Sequence, residues 1–264
     1  MTQGSSDKPV VLITGASAGF GDAIARKFAA NGYNIVAVAR RKERLDELAS
    51  DLKGQAEVAV VPLDITAKDA AEKAVGVAME QFGRLDCLVN NAGAFKFGPV
   101  DQIDDEALDE DVELSFKAPF RFCRAAVRVM KSESSIVNIG SVWGILAGMG
   151  GGSYCALKAA LIGLTQSLAA DYGAKGIRAN LVAPGVVKTD MTKDFWEADF
   201  FKRTNHELTP INREATIEDV ANAVFFLASP TGGFINGQTL ALDGGWSTTK
   251  YLAPEAVAAK RVPQ

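Results

Sequence analysis

The sequence predicts an α/β protein, a doubly wound parallel sheet of about seven strands with helices on both faces (a Rossmann fold). Three observations predict it. Short apolar runs alternate with amphipathic helical stretches along nearly the whole chain, and the first run leads directly into a glycine-rich turn and a helix. No repeat, low-complexity tract or Pro/Ser-rich linker divides the 264 residues. Uniformly apolar short strands joined by helical crossovers belong to a parallel sheet covered on both faces. Residues 1–264 are therefore expected to form one domain.

Taken in order, the expected strands are Val10–Thr14, Asn34–Ala39, Glu57–Val61, Leu85–Val89, Ser135–Ile139, Ile177–Val182 and Gln238–Leu242. Helical patterns fill the intervals at Asp22–Ala30, Arg41–Leu52, Ala67–Phe82, Ser153–Tyr172 and Ile217–Leu227. Asn31-Gly32 is a good C-terminal stop for the first helix. The only long stretch outside the alternation runs from Val186 to Thr216, and a long connection inside a compact domain is more often functional than idle. Residues 1–8 read as a polar, disordered lead-in and 247–264 as a C-terminal tail.

Composition narrows the function classes. Hydrophobic residues make up 48% and charged residues 23%, ordinary for a chain with a sizeable core. A net charge of −4 argues against nucleic acid, which needs a basic face. No apolar stretch approaches the roughly 20 residues of a membrane span, and the lead-in lacks the apolar core of a signal peptide. Cys87, Cys123 and Cys155 are an odd number without ligand spacing, so free thiols in a reducing cytoplasm are expected. With one histidine and no Cys/His cluster, no metal site is expected.

The first strand runs into Gly15-Ala16-Ser17-Ala18-Gly19-Phe20-Gly21. Glycines there permit a tight turn and let backbone N–H groups approach a pyrophosphate at a helix N-terminus. A G-x-x-x-G-x-G cluster alone is weak, and an ordinary turn is the plain alternative; its place between a first strand and a helix favours nucleotide binding. The second strand ends in Ala39-Arg40-Arg41. A carboxylate here would bind a ribose 2′-hydroxyl, whereas arginine accommodates a 2′-phosphate. Arg40 offers a planar fork of donors and favours NADP over NAD; alternatively, both arginines merely begin a solvated helix.

Tyr154 and Lys158 stand four apart on a helical stretch, so both project from one face. An ammonium beside a phenol favours the phenolate and lowers the tyrosine pKa, which suits acid/base work near neutrality. Ser141 follows the fifth strand, where ligands collect in a parallel sheet. Serine, tyrosine and lysine converging at one strand end is a sharper signal than any pair of them.

With these residues in place, the chain resembles the short-chain dehydrogenase/reductases of the compact, single-domain kind, from about Lys8 to Trp246. The family's Thr-Gly-x-x-x-Gly-x-Gly matches Thr14, Gly15, Gly19 and Gly21, with Ser17 and Phe20 between them. Asn-Asn-Ala-Gly matches Asn90, Asn91, Ala92 and Gly93. Asp64, followed by Ile65, matches the adenine-binding aspartate, and Pro184-Gly185 with Val187 and Thr189 matches the segment holding the nicotinamide carboxamide. Ser141, Tyr154 and Lys158 match the catalytic serine, tyrosine and lysine. The resemblance implies hydride transfer between NADP(H) and a ketone or secondary alcohol. Ser141 would bond the substrate oxygen, Tyr154 would move its proton, and Lys158 would bond the nicotinamide ribose and lower the tyrosine pKa. It also implies a homotetramer or homodimer. The interface candidates are the small residues Ala156, Ala159, Ala160 and Gly163, which intrachain packing would also explain, and the last strand.

One position departs from the family. Aligning Lys117-Ala118-Pro119-Phe120 with the family's Asn-Leu-x-Ala-Pro-Phe segment puts Ser115 where an asparagine helps relay protons to the lysine. A hydroxyl replaces a carbonyl and an amide. A catalytically silent NADP-binding regulator of the same fold is the alternative function.

Substrate contacts are expected from Trp143, from the loop Gly148–Gly152, and from Phe195 and Trp196 in a lid spanning 190–216. An aromatic lid favours a bulky or cyclic apolar substrate. His206 is expected at the surface, and Cys155 as a small packing residue.

Overall fold

The structure, a computed structural model, describes residues 8–250; the lead-in before Lys8 and the tail beyond Lys250 lie outside the described residues. Seven strands form one parallel sheet: β1 (Val10–Thr14), β2 (Asn34–Ala39), β3 (Val58–Pro62), β4 (Cys87–Asn90), β5 (Ser135–Ile139), β6 (Arg178–Pro184) and β7 (Thr239–Leu242). Their order is β3-β2-β1-β4-β5-β6-β7. β1, β2, β4 and β5 are buried along their whole length, in keeping with their largely apolar character.

The helices are α1 (Gly19–Ala30), α2 (Lys42–Asp51), α3 (Ala70–Phe82), α4 (Asp105–Val112), α5 (Ala118–Ala126), α6 (Gly152–Tyr172), α7 (Asp199–Phe201) and α8 (Ile217–Ala228). On one face of the sheet, Ala74, Phe82, Phe122 and Leu168 from α3, α5 and α6 pack on Leu12, Leu88 and Ile136. On the other, Ile24 and Phe28 of α1, Leu45 of α2 and Val224 of α8 cover Ile13, Ile35 and Val137. Phe28 and Phe225 lock α1 to α8 edge-on, ring centres 5.2 Å apart.

Element boundaries shift where side chains compete with the ladder. α3 starts at Ala70 rather than Ala67 because Asp64 closes a turn, accepting the Thr66 N–H at 3.0 Å, and the Ala67 N–H goes to the Asp64 carbonyl. α4 and α5 are joined by a wide π-turn over Glu113–Lys117. Pro119 explains it: proline has no N–H for the Ser115 carbonyl four residues back, and its ring clashes with that carbonyl in a regular helix.

The strand order reverses between β1 and β4, with β2 on one side of β1 and β5 beyond β4. Ligands settle outside the carboxyl ends of strands at such a switch point. The carboxyl ends of β1, β4, β5 and β6 open there into a cleft of about 1880 Å³.

Candidate active site

The glycine-rich turn forms one end of this cleft. Gly15 has φ +70°, a left-handed conformation that favours glycine, and an added Cβ would lie 2.9 Å from Asn91 Nδ2. At Gly21 a Cβ would lie 2.1 Å from the Gly15 carbonyl oxygen, so only glycine lets α1 close onto the turn. Gly15, Ser17, Gly19 and Phe20 line the cleft. Thr14 does not. It is buried, and its hydroxyl accepts the N–H groups of Asn91 (3.0 Å) and Ala92 (3.1 Å). Its part is to fasten the Asn91–Gly93 turn to β1, and Asn91 Nδ2 returns a bond to the Thr14 carbonyl at 2.9 Å.

Arg40 and Arg41 both border the cleft, and Arg41 is the one held on the turn: its Nη2 reaches Ser17 Oγ at 3.1 Å. Asp64 and Ile65 line the same end. The Thr66 backbone and side-chain donors, and then the nearby Arg40 charge, hold the Asp64 carboxyl below its usual range.

At the other end, Ser141 lies two residues past β5, where its hydroxyl caps the following turn by accepting the Trp143 N–H at 3.2 Å. Tyr154 comes from the first turn of α6, its phenol close to the Ser141 hydroxyl. Burial raises the phenol above its ordinary value, and the neighbouring Ser141 hydroxyl works against that rise. The expected lowering by Lys158 is absent. The Lys158 ammonium stands 5.6 Å from the centre of the tyrosine ring and donates to the Ile139 carbonyl at 2.9 Å. Burial pushes Lys158 itself down to about 8. A buried polar relay of Asn90, Asn138 and Thr165, with links of 2.8 and 2.9 Å, ties β4 and β5 to α6 beneath the site.

Pro184, Gly185, Val187 and Thr189 leave β6 along the cleft wall, where a Cβ on Gly185 would meet Asp243 at 2.9 Å. Ser115 is buried in the π-turn, outside the cleft lining. Trp143 and Phe195 line the cleft as expected, but Trp196 does not. It is 2% exposed, its indole N–H bonds Glu214 at 3.2 Å, and it packs on Phe201 and His206. His206, expected at the surface, keeps 26% of its side chain exposed and joins that cluster with the rest. α7 is only three residues long and continues as a π-turn over Lys202–His206; Trp196 packs inward on Phe201 and His206 of these elements, while Phe195 and Phe200 line the cleft.

Met149, on the loop expected to touch substrate, does line the cleft, whereas sequence reasoning missed Phe95, Phe97 and Trp246, all in the cleft wall. The Phe95 ring meets Tyr154 edge-on at 4.9 Å and Trp143 at 5.4 Å. A Phe-x-Phe pair directly after Asn91-Ala92-Gly93-Ala94 was the available signal. Among the described residues there is no cluster of His, Cys, Asp or Glu able to hold a metal, and no helix long and apolar enough to cross a membrane.

A family model described as enoyl-(acyl carrier protein) reductase matches residues 15–247. The chain is 38% identical over 244 residues to meso-2,3-butanediol dehydrogenase of Serratia marcescens, covering 90% of this chain and 94% of that one. It is 34% identical to (+)-borneol dehydrogenase 2 of Salvia officinalis, covering 92% and 90%. Among solved structures, a short chain dehydrogenase from Burkholderia cenocepacia J2315 in complex with NADP superposes with a TM-score of 0.86 at 33% identity, covering 91% and 98%. The glycine-rich turn at the switch point, the Ser141–Tyr154–Lys158 grouping and these likenesses converge, and the chain belongs to the short-chain dehydrogenase/reductase family.

Proposed function

We propose that the protein is an NADP(H)-dependent oxidoreductase that interconverts a bulky or cyclic apolar ketone and its secondary alcohol. The observation that carries this is the Ser141 hydroxyl set beside the Tyr154 phenol at the end of β5, with the buried Lys158 ammonium next to the tyrosine ring. The cleft fits the dinucleotide. The closures at Gly15 and Gly21 leave a cradle at the N-terminus of α1, and the cleft continues past Asn91, Ala92 and Gly93 to Pro184, Gly185, Val187 and Thr189. Bound NADPH supplies the hydride. Arg40 and Arg41, the latter steadied by Ser17, suit a 2′-phosphate, and the solved relatives named with NADP or NADPH support that cofactor.

In the reductive direction Ser141 donates a hydrogen bond to the carbonyl oxygen, and Tyr154 donates its proton there as negative charge develops. A phenol raised by burial holds its proton until that charge appears. Lys158 lies just outside the cleft lining, bonded to the Ile139 carbonyl; on this reading it would turn to bond the nicotinamide ribose and return a proton to Tyr154, with Ser115 as a relay residue. Phe95, Phe97, Trp143 and Met149 face Phe195 and Phe200 of the lid across a mostly apolar space, which favours ring-bearing substrates over free sugars. The names of the borneol and trans-4-hydroxycyclohexanecarboxylate dehydrogenases support a cyclic alcohol. The family model's description names an enoyl reduction, but two hydroxyl donors at one point suit a substrate oxygen better.

On this reading the chain is one nucleotide-binding domain, with residues 190–216 as its lid and the reducing cytoplasm as its compartment. Ala156, Ala159 and Gly163 are exposed on α6, so intrachain packing does not account for them; they support a homodimer or homotetramer. The test is Tyr154→Phe. NADPH affinity should stay unchanged while turnover of cyclic ketones falls by about 10²–10⁴-fold. Turnover near that of the unmodified enzyme would remove Tyr154 from the mechanism.

A further inference from the structure

Asp111, near the end of α4, is a carboxylate only 8% exposed that takes no part in the chemistry above. Burying a carboxylate is costly unless its oxygens are paired, and the pairing here is specific. Oδ2 accepts the Ser153 hydroxyl at 2.6 Å, and Oδ1 lies 3.9 Å from Lys96 Nζ. An O–H···carboxylate bond of that length is roughly twice as strong as a neutral one. Lys96 is also held by Glu110 at 2.6 Å, and Glu110, Asp111 and Asp104 together keep it charged.

The two partners of Asp111 are the chain neighbours of two rings in contact. Ser153 immediately precedes Tyr154, and Lys96 immediately follows Phe95, whose ring meets Tyr154 edge-on at 4.9 Å. One carboxylate thus holds both stretches of backbone that bring these rings together. It is also a negative charge beside the first turn of α6, a 21-residue helix whose N-cap, Gly151, has no side chain to cap it. α4 is a firm base for this, since it continues through the π-turn into α5, which is buried against the sheet.

We infer that Asp111 is a positioning residue, which through Ser153 and Lys96 sets the Tyr154 ring against Phe95 and so fixes the distance from the phenol to the substrate oxygen. The inference rests on Tyr154 being the proton donor. Without Asp111, the first turn of α6 and the Phe95 loop lose their common anchor and water reaches the phenol. Because burial is what raises that phenol, it should then titrate at lower pH.

The experiment compares Asp111→Ala, Asp111→Asn and Ser153→Ala, each alone and with Tyr154→Phe. It follows kcat, KM, NADPH affinity and the ultraviolet difference titration of the phenolate, with the Tyr154→Phe titration subtracted to isolate Tyr154. Displacing a reacting group by about 1 Å can cost 10²-fold, so a partial release should lower kcat about tenfold in Asp111→Ala. NADPH affinity should stay within about twofold, and the phenol should titrate lower. Asp111→Asn, whose amide oxygen still accepts the Ser153 hydroxyl, should keep most of the rate and the titration of the unmodified protein. In the Tyr154→Phe background Asp111→Ala should change nothing further. Should Asp111→Ala fail to fold, Ser153→Ala carries the same expectation, because it removes only the donor. A lower melting temperature with kcat and titration both unchanged would overturn the inference. Full turnover in Tyr154→Phe would instead overturn the role of the tyrosine, while the phenol titration would still decide whether Asp111 positions its ring.

Discussion

Replacing Lys158 by methionine tests the electrostatics of the site separately from its turnover. Burial takes this lysine from its ordinary 10.5 to about 8. Each pKa unit is about 1.36 kcal/mol, so the ammonium is disfavoured in the folded protein by about 3 kcal/mol. The sign follows from linkage. Between about pH 8 and 10.5 the unfolded chain binds more protons at Lys158 than the folded one, so the native protein gains stability as pH rises across that window. Methionine fills a similar volume without charge and has no such dependence. Its cost is the 2.9 Å bond to the Ile139 carbonyl, about 1.5–3 kcal/mol for a charged donor. Near neutral pH the two contributions nearly cancel, and Lys158→Met should melt at the same temperature as the native protein or slightly above it. By about pH 10.5 the native protein should have gained about 3 kcal/mol on the variant, on the order of 5 °C in melting temperature for a chain of this size. Calorimetry without added nucleotide reads this directly. A difference in melting temperature that stays constant from pH 7 to pH 10.5 would refute the argument that burial alone displaces Lys158.

Other positions give independent tests. Arg40→Ala and Arg41→Ala should each weaken NADPH about 10–100-fold, by loss of a charged bond of roughly 1.5–3 kcal/mol, while leaving NADH little changed; calorimetric titration with both nucleotides checks it. Gly21→Ala, whose Cβ would stand 2.1 Å from the Gly15 oxygen, should cost about 1–3 kcal/mol of stability and more than tenfold in nucleotide affinity, read by denaturant unfolding and fluorescence titration. In hydrogen exchange, Asp190–Thr209 should gain protection when cofactor and substrate bind. Trp196, anchored on Glu214, should be the slow point of that segment in the free enzyme.

The sheet was legible because its central strands are buried on both faces and so are largely apolar. Val10–Thr14, Asn34–Ala39 and Ser135–Ile139 have the same bounds in sequence pattern and structure. The glycine turn and the serine, tyrosine and lysine were legible because each is a local pattern at a strand end. What depends on long-range approach was not. Nothing in the sequence separates Thr14 as a fastener from its cofactor-lining neighbours, since its buried hydroxyl meets a turn 77 residues away. Trp196 is of the same kind: aromatic residues in a loop look alike until packing on Phe201 and His206 and a bond to Glu214, 18 residues away, decide which face inward. The π-turn itself was hidden behind a proline that could equally have ended a helix.

The loop between Ser141 and Tyr154 has a consequence for how this cleft can change. A Cβ on Gly148 would lie 2.3 Å from the Trp143 ring, one on Gly150 2.3 Å from Phe97, and one on Gly151 2.8 Å from Trp143. The backbone therefore lies flat on the indole and the phenyl ring, like a hand on a tabletop. Neither surface can be altered alone, because a side chain at Gly148, Gly150 or Gly151 displaces a ring, and any smaller ring leaves a hole under the loop beside Tyr154. Adaptation to new substrates has less freedom on this wall. The opposite side is different. Phe200 is 65% exposed and Met191 46%, so exchanging them disturbs little else, and natural or laboratory divergence in substrate choice should accumulate on the lid while the glycine-backed wall stays fixed.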